Sequence, residues 1–231
     1  MLTTAVSAGS TPARARLGPV PSLLRSLLRW MLRRLFAFEL VGLERIPQGR
    51  YIVAANHPGW IETLALAAFL PANGGLRTLA SRRATIEIGW RRVILNLADV
   101  VLPLDIEGRE ARPAIRAAVE YLRRGAAISI FPEDRSEPTR PDGALRPLRR
   151  GVAFLARASE SPVVPVGVPD TRELWRGRHL RINIGEPLAP PRERAEDERF
   201  LAALAARIEA LRPPVEPLPA HRSWTWLSKL F

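Results

Sequence analysis

The feature that most constrains the fold is an alternation of strand-like and helix-like segments along the chain. Short apolar runs, among them Tyr51–Ala55, Ala126–Phe131 and Val163–Val168, are separated by segments with helical periodicity. Such alternation is typical of α/β proteins, in which helices cover a mainly parallel sheet. A chain of 231 residues suits one domain with a sizeable core. We therefore predict a single α/β domain with a mainly parallel or mixed sheet.

Two of these apolar runs end abruptly in residues that can carry chemistry. The first is followed by His57 and, five residues further on, by Glu62, a spacing that a tight turn into a helix can close. A histidine accepts a proton near neutral pH, and a neighbouring carboxylate can fix its tautomer and orientation. The second run ends in Phe131-Pro132-Glu133. Because ligand sites of α/β sheets lie outside the carboxyl ends of strands, both segments are candidates for one site.

Taken in order, these segments resemble the conserved blocks of the glycerolipid acyltransferases, the family of lysophosphatidic acid and glycerol-phosphate acyltransferases. His57 and Glu62 match a block of His, four residues and Asp. Phe131-Pro132-Glu133 matches a Phe-Pro-Glu-Gly-Thr-Arg-Ser block, and Val163–Val168 matches an apolar strand centred on Val-Pro. The likeness covers roughly residues 38 to 190. An isolated His–Glu pair is more often a capped turn, so it is the ordered set that favours chemistry.

The chain departs from the family pattern at three places. Glu62 replaces the family's Asp, and Ile106 stands where the second block usually has Arg. In the third block Asp134-Arg135-Ser136 replaces Gly-Thr-Arg, so that Arg135 lies one place early. Arg109, three residues after Ile106, is a candidate to replace the lost arginine. These differences indicate a divergent member and leave open whether the acceptor carries a phosphate.

The resemblance implies an enzyme that moves a fatty acyl group from a thioester to a hydroxyl or amine of a lipid or polyol, such as a lysophospholipid. The donor would be acyl-CoA or an acyl carrier protein. His57 would be the general base and Glu62 its orienting partner, and no cofactor is required. The alternative is an acyl-binding or lipid-binding protein that has lost turnover. A hydrolase is disfavoured, because Ser129 lies inside a strand without a Gly-x-Ser-x-Gly elbow.

The resemblance also implies which residues bind substrate. Glu133 corresponds to a glutamate assigned to acceptor binding, and an arginine nearby is expected to bind a phosphate. The candidate substrate-binding residues are Arg109, Phe131, Pro132, Glu133 and Arg135. No metal site is indicated, because the three histidines are widely separated and the chain has no cysteine.

The two ends of the chain differ from its middle. Residues 1–21 are predicted to be flexible, and residues 22–38 to form an amphipathic helix with one arginine stripe, formed by Arg25, Arg29 and Arg33. Such a helix, with its Trp and leucines, suits the headgroup region of a membrane, where its arginines would attract anionic lipid, and its charges exclude a transmembrane span. The alternative is a helix that packs on the sheet while its arginines face water. Residues 39–211 would form the α/β domain. Residues 212–231 would be a proline-rich spacer and an aromatic tail that either enters an interface or folds back on the domain.

The charge of the chain favours anionic partners. The formal net charge is +12, and arginine supplies nearly all of it, because Lys229 is the only lysine. Such a field attracts phospholipid surfaces, nucleotide-bearing donors or an acidic carrier protein. Nucleic acid is not expected, because no recognised binding motif accompanies the charge. We therefore predict a peripheral or monotopic protein at the cytoplasmic face of a membrane.

Overall fold

The structure is a computed structural model that describes residues 18–57, 59, 61–72, 75–81, 99–104, 111–134, 144–215 and 218–229. Within these ranges the strands are β1 (Ala37–Val41), β2 (Tyr51–Ala55), β3 (Leu76–Ser81), β4 (Val101–Leu104), β5 (Ala127–Ile130), β6 (Val163–Gly167) and β7 (His179–Ile184). The α-helices in the same ranges are α1 (Pro19–Leu35), α2 (Ile61–Phe69), α3 (Ala111–Arg123), α4 (Gly151–Ser159) and α5 (Asp197–Leu211).

The strands form one mixed sheet in the order β1-β7-β6-β2-β5-β3-β4. The strands from β6 to β4 in that order are mutually parallel, whereas β7 is antiparallel to β6 and parallel to β1. The prediction of an α/β domain with a mainly parallel or mixed sheet is therefore confirmed. Since β2 and β5 are parallel neighbours, the segments that follow them leave the same edge of the sheet side by side.

Helices cover both faces of the sheet, which explains why its central strands are continuously apolar. Along β2, Tyr51, Val53 and Ala55 face a core that includes α1 and α2. Ile52 and Ala54 face a second core, formed with α3, α4 and α5. The side-chain period of two thus divides one buried strand between two cores. β2 is packed on both faces, and this packing restricts the position of Asn56, the residue that follows it.

The N-terminal helix is present, but its bounds differ from the predicted 22–38. It begins at Pro19, whose fixed φ suits the first turn of a helix, and it ends at Leu35. Residues 37–41 are β1, which pairs in parallel with β7 over His179–Ile184. The pattern of residues 22–38 could not reveal this strand, because its partner lies about 140 residues away. Residues 1–17 of the predicted flexible start lie outside the described part of the chain.

The arginine stripe of α1 is divided between the domain and solvent, which corrects in part the expectation that it faces outward: Arg25 is buried, whereas Arg29 and Arg33 are exposed. Arg25 is 6% exposed and donates to the carbonyl oxygens of Ala67, Leu76 and Asp99, at 3.3, 2.9 and 2.6 Å. Arg29 Nε donates to the Ala68 carbonyl at 2.7 Å. Both arginines therefore place charge at the C-terminus of α2, where the helix dipole favours a cation. Burial lowers the pKa of Arg25.

The opposite side of α1 is exposed and mainly apolar, with Arg34 as its basic residue near the C-terminal end. Its exposed large side chains recur at helical spacing: Val20, Leu23, Leu27, Trp30 and Met31. Leu23 and Trp30 are 70% and 62% exposed. No helix in the described ranges is long and apolar enough to cross a membrane. The helix therefore uses Arg25 and Arg29 for attachment to the domain and leaves a largely hydrophobic surface in solvent.

The C-terminal tail folds back on the domain, one of the two arrangements that the sequence allowed. Residues Thr225–Lys229 form a 3₁₀ helix, and Leu227 is 2% exposed within the core beside α1 and α2. Ser228 Oγ accepts the Leu174 N–H at 2.6 Å. Trp224 and Trp226 nevertheless remain 45% and 58% exposed.

Candidate active site

His57 and Glu62 meet at the carboxyl edge of the sheet. His57 follows the end of β2, and Glu62 lies in the first turn of α2. His57 Nδ1 is 2.6 Å from Glu62 Oε1, which is a hydrogen bond. The Glu62 side chain is 1% exposed, whereas the His57 side chain is 19% exposed. The turn has thus accommodated the longer side chain, and the imidazole is accessible while its partner is sealed from water.

Both oxygens of the Glu62 carboxylate accept hydrogen bonds. Oε1 also accepts the Gly59 N–H at 2.8 Å, and Oε2 accepts the Thr171 hydroxyl at 2.9 Å. Because an ionised carboxylate can only accept hydrogen bonds, the His57 hydrogen is placed on Nδ1. His57 Nε2 is then left with a free lone pair. A neutral imidazole in this tautomer is suited to act as a base.

The backbone around His57 is fixed by the neighbouring strands. The Asn56 side chain accepts the Val168 N–H at 2.8 Å and donates to the Val168 carbonyl at 3.0 Å, which ties the end of β2 to the end of β6. On the other side, the His57 N–H donates to Glu133 Oε1 at 2.9 Å. These hydrogen bonds fix the backbone on both sides of His57, and a fixed backbone helps to hold a catalytic side chain within the narrow range of positions that catalysis requires.

The segment after β5 adds an aromatic wall and a carboxylate. The Phe131 ring stacks on the His57 ring with centroids 4.1 Å apart and planes 15° apart. Pro132 is buried, and its carbonyl accepts the Arg149 N–H at 2.8 Å. Phe131 and Glu133 therefore contact His57, whereas Pro132 lies between them in the chain and bonds to Arg149. A direct role for any of them in binding the acceptor stays a prediction.

Two arginines that the sequence analysis did not assign border this site, each paired with a carboxylate. Glu133 Oε2 is 3.5 Å from Arg146 Nε, and Arg149 donates to Asp134 at 2.8 Å. An isolated β-bridge between Glu133 and Leu148 brings the two segments together. The arginine run 146–150 was visible in the sequence, but its position became clear only from this bridge. The predicted phosphate ligands Arg109 and Arg135 lie outside the described residues.

A sequence model of the Acyltransferase family matches residues 37–169. This range holds the strand ends, His57, Glu62 and Glu133, and it is more than half of the chain. The chain therefore belongs to the Acyltransferase family. The prediction of an acyltransferase is confirmed at this level, and the resemblance seen in the motifs is borne out.

Relatives of known name agree with this assignment. The 1-acyl-sn-glycerol-3-phosphate acyltransferase of Bacillus subtilis is 25% identical over 179 residues, which are 73% of this chain and 80% of that protein. The Saccharomyces cerevisiae protein of the same name is 24% identical over 148 residues, which are 64% of this chain and 48% of the yeast protein. The chain thus spans most of the bacterial relative and about half of the yeast one.

A solved structure shares the fold. The crystal structure of PlsC, the 1-acyl-sn-glycerophosphate (LPA) acyltransferase from Thermotoga maritima, superposes with a TM-score of 0.61 at 19% identity. The match covers 86% of this chain and 82% of the other. It therefore extends beyond the residues of the family model, to the elements that flank them.

Proposed function

We propose that this protein transfers a fatty acyl group from a thioester donor to a hydroxyl or amine of a lipid or polyol acceptor, such as a lysophospholipid, at a membrane surface. The observation that carries the proposal is the 2.6 Å contact between His57 Nδ1 and the buried Glu62 carboxylate. The donor is acyl-CoA or an acyl carrier protein. The names of the relatives in Bacillus subtilis and yeast support an acceptor of the lysophosphatidic acid type.

His57 is the general base in this mechanism. Its Nε2 takes the proton of the acceptor hydroxyl while the acceptor oxygen attacks the carbonyl carbon of the thioester. The tetrahedral intermediate then expels the thiolate, and the imidazolium returns the proton to that sulfur, so that an ester and a free thiol result. Glu62 keeps Nδ1–H in place and stabilises the transient positive charge of the ring. The N-terminus of α2 provides a favourable field for the oxyanion.

Arg146 and Arg149 provide the positive charge that an anionic substrate requires. Both are held at the edge of the site, by Glu133 and Asp134 respectively. A phosphate of the acceptor, or of the phosphate-bearing arm of the donor, is the group that such guanidinium groups bind best. In this proposal Glu133 supports substrate binding through Arg146 and through the His57 backbone.

The proposal predicts acyl transfer by the purified protein. Radiolabelled acyl-CoA and acyl carrier protein donors are incubated with lysophosphatidic acid, other lysophospholipids, polyols and amines, and labelled products are separated by thin-layer chromatography. We expect acylated product with at least one acceptor and no product without protein. Retention of labelled acyl chains with no product from any acceptor would instead favour the acyl-binding alternative.

The membrane surface of the proposal is the exposed apolar side of α1. Its residues Leu23, Leu27 and Trp30 have no partner in the described part of the protein that removes them from solvent. Leucine and tryptophan side chains of an amphipathic helix enter the headgroup boundary, and lipids are the partner that matches such a surface. Because Arg25 and Arg29 are engaged by α2, apolar contact carries more of the attraction than the sequence suggested. We therefore infer a peripheral position on the membrane, and the cytoplasmic side stays a prediction from the sequence.

Replacing Leu27 and Trp30 by Ser should weaken vesicle binding about tenfold or more, since full burial of each such side chain contributes about 1.5–3 kcal/mol. Sedimentation with phosphatidylcholine vesicles, with and without phosphatidylglycerol, measures the effect. Phe154→Ser is the matched control, because Phe154 is 45% exposed on α4, at the other face of the sheet. Equal loss in the control, or binding that high salt abolishes, would contradict this arrangement.

A further inference from the structure

We propose that Thr171 is a positioning residue that allows a glutamate, rather than an aspartate, to orient His57. The inference rests on the proposed acyl transfer and adds a residue from outside the family blocks. Thr171 is 3% exposed and lies in the loop after β6, 109 residues from Glu62. Within the described part of the chain, the Thr171 hydroxyl hydrogen-bonds to Glu62 Oε2 alone, at 2.9 Å.

The two carboxylate oxygens of Glu62 have separate tasks. Oε1 is shared by His57 Nδ1 and the Gly59 N–H, whereas Oε2 is bound by Thr171. A glutamate side chain has one more rotatable bond than an aspartate side chain. If only one of its carboxylate oxygens were hydrogen-bonded, the plane of the carboxylate could still rotate. Anchoring the second oxygen fixes that plane. Thr171 thereby removes the freedom that the additional methylene introduces.

The turn is built closely around this contact. A Cβ atom at Gly59 would lie 2.5 Å from Thr171 Oγ1 and 3.1 Å from the Thr171 carbonyl oxygen. Any side chain at position 59 would therefore displace Thr171 or lift the turn from it. The absence of a side chain at Gly59 lets its N–H and the Thr171 hydroxyl reach the same carboxylate. The three residues form one arrangement, and His57 is oriented by all of them.

Thr171→Val and Thr171→Ala should each lower kcat about tenfold to a hundredfold, the range expected for loss of a hydrogen bond to a charged group. KM should change less than about threefold, because Thr171 acts through Glu62 and not on the substrate. Thr171→Ser should restore most of the activity, since it keeps the hydroxyl. The Thr171→Ala variant introduces no additional atoms, so it can still be measured if Thr171→Val disturbs folding.

Thr78→Val is the matched control. Thr78 is 1% exposed and its hydroxyl is 2.7 Å from Ser129 Oγ, so the substitution also removes one buried hydroxyl from a hydrogen-bonded pair. It should lower the melting temperature without a selective loss of kcat. An equal loss of kcat in Thr78→Val and Thr171→Val would show that a general loss of stability, and not positioning, explains the effect.

A double-mutant cycle tests the link to the longer side chain. In Glu62→Asp the carboxylate is shorter by one methylene and cannot contact both His57 and Thr171. In that background, Thr171→Val should therefore reduce kcat less than about threefold. Additive losses in the double variant would overturn the proposal. Near-complete coupling would support it.

A spectroscopic measurement separates this inference from the proposed activity. Histidine labelled with ¹⁵N gives three residues, of which His57 alone has the buried Glu62 partner. We expect His57 in the Nδ1–H tautomer with a slowly exchanging, low-field proton that Thr78→Val leaves unchanged and Thr171→Val weakens or shifts. An unchanged signal in Thr171→Val would refute the role of Thr171 whether or not acyl transfer is observed. If the signal responds but no acceptor is acylated, the positioning stands and the proposed reaction fails.

Discussion

His57→Ala should reduce acyl transfer about 10²- to 10⁴-fold, the usual effect of removing a general base. The melting temperature should fall by less than about 5 °C, because about 1 kcal/mol corresponds to some 2–4 °C in a chain of this size. Gly59 and Thr171 still donate to the buried Glu62 carboxylate in this variant, and the principal packing loss is the stacking on Phe131. Initial rates at saturating donor, together with thermal unfolding, measure both quantities.

His179→Ala is the control for this experiment. His179 lies on β7 with its side chain 45% exposed, and it is 3.4 Å from Glu39 at the surface. Its removal should leave turnover unchanged. Wild-type turnover in His57→Ala would refute the proposed mechanism, whereas an unfolded His57→Ala protein would show that His57 is needed for structure.

The part of the site within one strand–turn–helix unit could be predicted from the sequence. β2 and α2 are adjacent in the chain, so the spacing of His57 and Glu62 was enough to suggest their contact. Glu133 could be placed beside them because parallel strands end at the same edge of the sheet. These inferences need only local patterns and the general rules of α/β folds.

The contacts that cross the sheet could not be predicted in the same way. Thr171 reaches Glu62 from the loop after β6, and no pattern in residues 168–172 distinguishes its hydroxyl from that of any other loop threonine. Arg146 reaches Glu133 through a single bridge between irregular segments. Such contacts depend on the register of loops, which the sequence of one chain does not show.

Helical periodicity predicted the arginine row of α1, but not that this row shares the buried side of the helix with Leu32 and Phe36. Arg25, Arg29, Leu32 and Phe36 follow one another at spacings of four, three and four, and this mixed face contacts the domain. A basic stripe is normally solvated, so sequence reasoning assigned it to the outside. The carbonyl oxygens of Ala67 and Ala68 at the C-terminal end of α2 favour the opposite arrangement, because Arg25 and Arg29 donate to them. A mainly apolar face, which also carries the exposed Arg34, is left for the outside.

Glu62→Gln should reduce acyl transfer about 10²- to 10⁴-fold while preserving the shape of the site. All three groups around the carboxylate are donors, namely His57 Nδ1–H, the Gly59 N–H and the Thr171 hydroxyl. A neutral amide has one acceptor oxygen and an NH₂ group that must face one of them. The neutral amide cannot stabilise the positive charge of an imidazolium. In one of its orientations the amide also favours the other tautomer of His57, and the wrong tautomer accounts for losses of this size.

Glu62→Asp separates the effect of charge from that of reach. It retains the negative charge but withdraws the oxygens by one methylene, about 1.5 Å, which exceeds the tolerance of about 0.5 Å for catalytic groups. We expect about a tenfold or greater loss of kcat, smaller than that of Glu62→Gln, with little change in KM. Higher activity in Glu62→Asp than in the wild type would mean that the 2.6 Å contact is absent from the working enzyme. We expect kcat to decrease in the order wild type, Glu62→Asp, Glu62→Gln. That order would show that both the charge of Glu62 and the full length of its side chain are needed.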